Sequence, residues 1–214
     1  MALTVNEFFF SIQGESLAAG RPCVFVRLTG CNLRCTYCDT RYADEAGVRR
    51  TIEDIISRVE AYRFPLVEIT GGEPLLQEET PLLAQRLLER GMEVMLETNG
   101  TLPIDRVPDA CARIVDIKCP GSGHSQDFDP LNIDRLGPRD QLKFVISDRR
   151  DYEFALEMTD QLRNRAIFSP ILLSPVSGML DPRLLAKWIL ADRRDVRLQL
   201  QLHKILWPLV KRGV

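Results

Sequence analysis

The chain has 214 residues, of which 45% are hydrophobic and 27% charged, and its formal net charge is -2. This composition predicts one globular domain over residues 1–214 and excludes a global electrostatic attraction to nucleic acid or anionic lipid. No apolar run approaches the ~20 residues that cross a bilayer, and the N-terminal segment lacks the features of a signal peptide. We therefore expect a cytoplasmic protein whose partner is a small molecule.

Strands and helices alternate along the chain. An apolar strand followed by a turn is expected at residues 5–16, ahead of a core from about 22 to 204. Val24, Val26 and Leu28 alternate with larger or polar side chains, which predicts the first core strand. Further strands are predicted at residues 65–70, 92–100, 112–120, 140–148 and 196–206. Amphipathic helices are predicted at residues 51–63, 80–91, 151–164 and 181–194.

Two stretches, residues 100–112 and 119–140, are rich in Pro, Gly and Asp and show no helical period. Crossover helices are therefore expected to be short or absent there. The alternation elsewhere predicts an α/β fold with a parallel sheet and right-handed crossovers. The loops after the first four core strands, at 31–38, 71–74, 99–100 and 118–121, should meet at the functional edge of that sheet.

The last predicted strand alternates with unusual regularity. Leu198, Leu200 and Leu202 are expected on one face. The other face would carry Arg197, Gln199, Gln201 and His203. Such a polar face is typical of a strand that lines a polar cavity and equally of a solvated edge strand, and the sequence leaves both open.

The stretch GCNLRCTYCDTRY holds Cys31, Cys35 and Cys38, three of the six cysteines. A structural zinc site would need a fourth ligand from elsewhere in the chain. The candidates for that ligand are Cys23, Cys111, Cys119, His124 and His203. A CxxC redox pair would leave Cys31 without a role. A cubane iron-sulfur cluster bound by three thiolates would leave one iron open to a substrate or cofactor.

The spacing CxxxCxxC, with Tyr37 directly before the last cysteine, resembles the radical S-adenosylmethionine (SAM) superfamily. The resemblance implies a 4Fe-4S cluster whose open iron binds SAM, and reductive cleavage of SAM to a 5′-deoxyadenosyl radical. GGEP, residues 71–74, resembles the superfamily's loop for the methionine amino group: its glycines allow close backbone approach, and Glu73 can accept from an ammonium. The implied fold is a partial, incomplete parallel β/α barrel of radical SAM type with a reduced set of outer helices.

FFSIQGE, at residues 9–15, and PCVFVRLTGCNLRCTYCDT, at 22–40, resemble the 7-carboxy-7-deazaguanine synthase family. The likeness continues in GGEP, ETNG, DIK and QLQLHK, while Ser16 replaces a frequent glycine and residues 208–214 have no counterpart. That family is a group of radical SAM lyases that convert 6-carboxy-5,6,7,8-tetrahydropterin to 7-carboxy-7-deazaguanine with loss of ammonia, in the biosynthesis of queuosine and related 7-deazapurines.

The resemblance implies a role for each matching residue. The pterin would contact Ile12, Gln13, Gly14, Arg27, Thr70 and His203. SAM would contact Tyr37, Cys38, Asp39, Gly72, Glu73, Ile117, Lys118 and Cys119. The cluster would be bound by Cys31, Cys35 and Cys38, and Mg²⁺ by Thr40. No side chain is implied to be catalytic, because the deoxyadenosyl radical would carry out the chemistry.

Other interpretations remain open at this point. Taken alone, Arg27 would be a surface ion pair, Thr40 a loop cap and Cys119 a lone buried thiol. An activase of a glycyl-radical enzyme would share the cluster and GGEP, and a non-enzymatic zinc-binding module is a further alternative. The family resemblance also implies a homodimer and an electron donor such as flavodoxin or ferredoxin.

Overall fold

In the computed structural model, which describes residues 1–214, nine strands form one sheet. The strands are β1 (Ala2–Ile12), β2 (Pro22–Leu28), β3 (Val48–Thr51), β4 (Leu66–Gly71), β5 (Glu93–Thr98), β6 (Ala112–Asp116), β7 (Gln141–Ile146), β8 (Ile171–Pro175) and β9 (Arg197–Leu198). The helices are α1 (Ile52–Ala61), α2 (Thr80–Glu89), α3 (Arg149–Asn164), α4 (Pro182–Asp192) and α5 (Leu202–Leu206). None of them is long and apolar enough to span a bilayer.

The strand order is β3-β1-β2-β4-β5-β6-β7-β8-β9, with β3 and β9 at the two ends. All neighbours from β2 to β9 pair in parallel, and only the β1–β2 and β1–β3 pairs are antiparallel. The predicted incomplete parallel β/α architecture is confirmed. The sequence did not reveal β3, a four-residue edge strand, or that β1 begins as early as Ala2.

No α-helix follows β5 or β6, as the Pro- and Gly-rich composition predicted. Only short 3-10 turns connect these strands, and buried polar side chains fix their backbone. The Asn132 amide donates to the carbonyls of Gly100 and Leu102, both at 2.9 Å. Arg113 is 2% exposed and forms a bidentate pair with the buried Asp140. Hydrogen bonds therefore replace helix-on-sheet packing in this part of the molecule.

The inner face of the sheet changes from apolar to charged along the strands. Near the amino ends of the parallel strands, this face carries an apolar layer, composed of Phe9, Ala18, Cys23, Phe25, Leu66, Met95 and Ile114. Because side chains alternate with period two, the next inward positions on β2, β4, β5, β6 and β7 lie above this layer. Those positions hold Arg27, Glu68, Glu97, Asp116 and Lys143. The sheet therefore places charged side chains directly beneath the edge that was predicted to be functional.

The predicted final strand over residues 196–206 is wrong beyond Leu198. Only Arg197 and Leu198 pair with β8, and α5 begins at Leu202. The expected faces are also not formed, since Gln199 is buried whereas Leu198 is 39% exposed. The reason is competition for hydrogen bonds: the Leu202 N–H donates to the carbonyl of Gly14 at 3.0 Å, which draws the chain away from the strand direction. The C-terminal segment thus meets the turn after β1.

Candidate active site

The carboxyl ends of the parallel strands surround a cavity of about 430 Å³. Its walls come from the loops after β2, β4, β5 and β6, which contribute Cys31, Gly72, Asn99 and Lys118 among others. The prediction that four chemically distinctive loops meet at one edge is confirmed.

Cys31, Cys35 and Cys38 all line this cavity. Their loop is irregular and starts at Gly30, whose N–H donates to the carbonyl of Ala43 at 2.9 Å. Burial raises the pKa of the Cys31 and Cys35 thiols. Binding of these two residues to a metal would therefore release protons.

The three thiols fit a 4Fe-4S cluster better than a single metal ion. No group of three or more His, Cys, Asp or Glu side chains is gathered around one ion position. A cubane does not require that, because each thiolate binds a different iron atom. Soft thiolate donors on one cavity wall suit iron-sulfur chemistry. The zinc alternative would need a fourth Cys or His, and none lines this cavity.

The GGEP loop packs directly against the cysteine loop. A Cβ atom on Gly72 would lie 2.3 Å from the carbonyl oxygen of Gly30 and 2.7 Å from Cβ of Cys31, so only glycine fits. The Glu73 N–H donates to the same Gly30 carbonyl at 2.8 Å. Gly72 itself lines the cavity, and its backbone is therefore exposed to a bound molecule.

Glu73 lies behind this loop and is fully buried. Its carboxylate accepts from the N–H groups of Leu75 and Asn99, at 2.9 and 2.7 Å, and from the hydroxyl of Thr98 at 2.8 Å. Burial raises the pKa of Glu73, although these donors act in the opposite direction. Glu73 does not line the cavity and instead joins the loops after β4 and β5. Its contact with an ammonium group stays a prediction.

The segment after β6 offers one side chain to the cavity. Lys118 lines it and donates to Asp116 at 2.8 Å, whereas Ile117 and Cys119 are buried behind the wall. Cys119 is thus a buried thiol, and its contact with SAM, like that of Ile117, stays a prediction. Tyr37 also lines the cavity, and its hydroxyl donates to a β7 carbonyl at 3.1 Å.

A second cavity, of about 110 Å³, adjoins the first. It is lined by all the residues predicted to contact the pterin, namely Ile12, Gln13, Gly14, Arg27, Thr70 and His203. The residues that line both cavities are Arg27, Asp39, Thr40, Thr70, Glu97 and Gln201. A small molecule in the second cavity would therefore lie beside whatever occupies the first.

Arg27 stands at this shared wall. Its Nε donates to Glu7 at 2.8 Å, and its guanidinium lies 5.5 Å from the ring centre of Phe9 and 5.6 Å from that of Tyr42. The ion pair considered from sequence is thus present, but it is mostly buried, with the Arg27 side chain only 11% exposed. The two terminal nitrogens make no hydrogen bond to the protein, so they can bind an anion in the cavity.

Asp39 and Thr40 form a second polar group on the shared wall. The Thr40 hydroxyl donates to Asp39 at 3.0 Å, and Lys204 approaches the same carboxylate at 2.7 Å. Desolvation alone would raise the pKa of Asp39, but His203, whose Nε2 lies 4.0 Å from the carboxylate, and Lys204, at 2.7 Å, hold it well below its usual range. Asp39 is therefore a fixed anion. Thr40 precedes a 3-10 turn but makes no side-chain cap, so the loop-cap interpretation is wrong.

A buried charge network lies under the cavities, and no sequence pattern predicted it. Lys143 on β7 is 5% exposed and pairs with Glu15, with Glu97 at 2.6 Å and with Asp116 at 3.6 Å. Glu68, on β4, accepts from the Gln13 amide, and burial together with the Glu97 charge raises the pKa of Glu68 well above its usual value. These residues come from four separate strands and the turn after β1, and they form no local motif. The available signal was a charged residue at an inward position of otherwise apolar strands.

Comparison with known proteins agrees with this geometry. Residues 25–180 match the sequence model of the Radical SAM superfamily, so the chain is a radical SAM protein. Curated 7-carboxy-7-deazaguanine synthases of Koribacter versatilis and Chlorobaculum tepidum are each 46% identical to it. The alignments cover 99% of this chain in both cases, and 100% and 97% of those two proteins. The chain belongs to the 7-carboxy-7-deazaguanine synthase family.

The fold agrees with the same assignment. The crystal structure of QueE from Escherichia coli superimposes with a TM-score of 0.77 at 25% identity, and the match covers 94% of each chain. Membership of the superfamily implies a 4Fe-4S cluster, SAM and a reductant, and membership of the synthase family implies a small-molecule substrate. The zinc-binding module considered from sequence is therefore excluded.

Proposed function

We propose that this chain is a radical SAM lyase that converts 6-carboxy-5,6,7,8-tetrahydropterin to 7-carboxy-7-deazaguanine with loss of ammonia, in the biosynthesis of queuosine and related 7-deazapurines. The observation that carries the proposal is the pair of joined cavities. One is lined by three thiols and the GGEP backbone, and the other by polar groups at the end of β1 and on the inner strands. The first suits a cluster with SAM, and the second suits a small polar heterocycle.

Cys31, Cys35 and Cys38 would hold the cluster, and the backbone of Gly72 would lie against SAM. When bound, the two cofactors supply a carbon-centred radical that can abstract hydrogen from a neighbouring molecule. The protein's contribution is to hold the pterin in the adjoining cavity, at a fixed distance and away from water. Few groups are needed for proton transfer if the radical starts the reaction.

Arg27 would bind the pterin carboxylate. Its two terminal nitrogens offer the paired donors that a carboxylate accepts, and two nearby aromatic rings help to hold the planar guanidinium in place. Glu7 holds the remaining nitrogen and so fixes the direction of the fork. Replacement by Lys would keep the charge but lose this geometry.

Thr40 would bind Mg²⁺, together with oxygens of the substrate and water. The support is its hydroxyl on the wall shared by both cavities, next to the anionic Asp39. Thr40→Val should leave the iron content unchanged. It should also raise the Mg²⁺ concentration needed for half-maximal turnover by about tenfold or more, since even outer-shell partners of metals contribute that much. An unchanged Mg²⁺ requirement would remove Thr40 from the metal site.

The decisive experiment is anaerobic reconstitution with iron, sulfide, SAM, Mg²⁺, a reductant and the pterin. We expect 7-carboxy-7-deazaguanine, identified by mass and ultraviolet absorption. Absence of this product from protein with an intact cluster would refute the proposal. Cleavage of SAM that is independent of the pterin, with transfer of the radical to a backbone glycine of another protein, would favour the activase instead.

The finer features of the family are part of the same proposal. We expect a flavodoxin or ferredoxin as electron donor, a homodimer and a cytoplasmic location. A reducing compartment would keep the six cysteines, all free in this structure, in the thiol form. Sedimentation of the reconstituted protein measures the oligomeric state, and stopped-flow reduction by each donor ranks the reductants.

A further inference from the structure

Cys35, the middle of the three cysteines, has hydrogen bonds on both of its neighbours. The Arg34 N–H donates to Nε2 of His124 at 3.0 Å. On the other side, the Thr36 N–H and hydroxyl donate to two carbonyls at 3.1 and 2.7 Å. All the acceptors belong to residues 119–127, the support segment, which follows β6.

The support segment is anchored in turn by the start of α3. Asp151, which is fully buried, accepts from the Gly121 N–H at 2.7 Å and from the N–H and hydroxyl of Ser147 at 2.9 and 2.5 Å. A Cβ on Gly121 would lie 2.2 Å from Oγ of Ser147, so the Gly121 backbone packs closely against that side chain. The carbonyl of this same Gly121 accepts from the Thr36 hydroxyl. Asp151 therefore acts on the cysteine loop through one intervening residue.

His124 acts on the loop directly. Because Nε2 accepts from the Arg34 N–H, the ring proton lies on Nδ1, which is 2.7 Å from the Asp127 carboxylate. Both ring nitrogens are thus engaged, and this residue is no zinc ligand. Neither His124 nor Asp151 lines either cavity, so neither contacts the cofactor or the substrate.

We infer that His124 and Asp151 are positioning residues for the iron-sulfur cluster, which hold Cys35 in its binding position before the cluster arrives. Groups that orient the ligands of a metal contribute strongly to its retention without touching it. Two separate sets of hydrogen bonds, one through His124 and one through Asp151, restrain the residues before and after Cys35. The backbone between them therefore has little freedom. This inference rests on the superfamily's cluster and not on the proposed substrate.

The test compares iron release from reconstituted enzyme to a chelator, without pterin. His124→Ala removes the acceptor, and we expect release about 10–100-fold faster. His124→Gln restores an acceptor oxygen at similar reach and should release iron close to the original rate. Ser125→Ala is the matched control, because the Ser125 hydroxyl makes no hydrogen bond and its segment is the same.

The hydrogen bonds through Asp151 are tested by Asp151→Asn. Because Asp151 is fully buried, Thr36→Val, at an exposed position, is the second test of the same hydrogen bonds. Thr36→Val should likewise speed iron release.

Amide hydrogen exchange on the full chain purified without cluster gives a second readout. Exchange at Arg34 should accelerate in His124→Ala, while the melting temperature stays unchanged. The inference is overturned if His124→Ala and Thr36→Val both keep their iron as long as the unsubstituted enzyme, or if exchange at Arg34 does not respond.

Discussion

The two adjoining cavities are built by different means. The larger one owes much of its shape to main chain and thiols. Gly72 packs so closely against the Gly30 carbonyl that there is no room for a side chain at position 72. The smaller one owes its shape to polar and charged side chains of the turn after β1 and of the inner face of the sheet, such as Gln13, Glu15 and Glu68, and it shares Arg27 and Glu97 with the larger one. Backbone contacts need no desolvation of charge, whereas a buried ionic layer is costly unless every charge has a partner.

This difference separates recognition of the cofactors from recognition of the substrate. A backbone cradle beside three thiols can serve any substrate, because it recognises only the cluster and SAM. A charged layer under the adjoining cavity recognises one arrangement of donors and acceptors, and in our proposal that arrangement belongs to a carboxylated pterin. Substitutions at residues that line only one cavity should therefore leave binding in the other largely intact.

The largest expected effect is that of Cys35→Ala. Removal of one of three thiolates should abolish the cluster and, with it, the activity, because no other Cys or His lines the cavity to replace it. Pterin binding measured by calorimetry should persist, since Cys35 does not line the second cavity. Cys111→Ala, at a buried thiol outside both cavities, is the control and should keep the iron. Loss of pterin binding in Cys35→Ala would contradict the separation of the two cavities.

Lys143→Met should cause the largest loss of stability. The variant leaves Glu15, Glu97 and Asp116 without their shared cation, and removal of one partner from a buried ion pair costs about 3–5 kcal/mol. Urea unfolding at neutral pH measures it. Lys187→Met, at an exposed lysine without an ion pair, should change the free energy of unfolding by less than about 0.5 kcal/mol. Equal effects of the two variants would show that the buried network contributes nothing.

Gly72→Ala should have a smaller effect, confined to the larger cavity. The added methyl group must displace the Gly30 carbonyl or Cys31, which moves the two loops apart. We expect SAM affinity to fall by about tenfold, equivalent to about 1.4 kcal/mol, with pterin binding unchanged. Gly91→Ala is the control: its φ of +76° makes alanine strained, but nothing lies within 4 Å of the new Cβ. It should cost about 1–2 kcal/mol of stability and leave SAM binding intact.

The same difference explains what sequence could predict. The larger cavity was predictable because close backbone packing needs glycine and cysteine at fixed spacing within short stretches, as in residues 30–42 and 71–74. The charge network was not, because its members Glu15, Glu68, Glu97 and Lys143 meet only once the sheet has formed. The final strand failed for a related reason: regular alternation set a local preference, and hydrogen bonds with the distant turn after β1 outweighed it.

The smallest effect expected is a pH dependence at Glu68. Burial, together with the charge of Glu97, raises its pKa well above the usual value in the folded protein. Between the ordinary glutamate pKa and the raised one, the folded state binds more protons than the unfolded state, so stability falls as pH rises through that window. Glu68→Gln removes the titration but keeps an oxygen that can accept from Gln13. The free energy of unfolding of Glu68→Gln, relative to the unsubstituted chain, should therefore increase from pH 5 to pH 8. A difference that stays constant over this range would mean that Lys143 already neutralises Glu68, and that the charged layer is balanced as a whole.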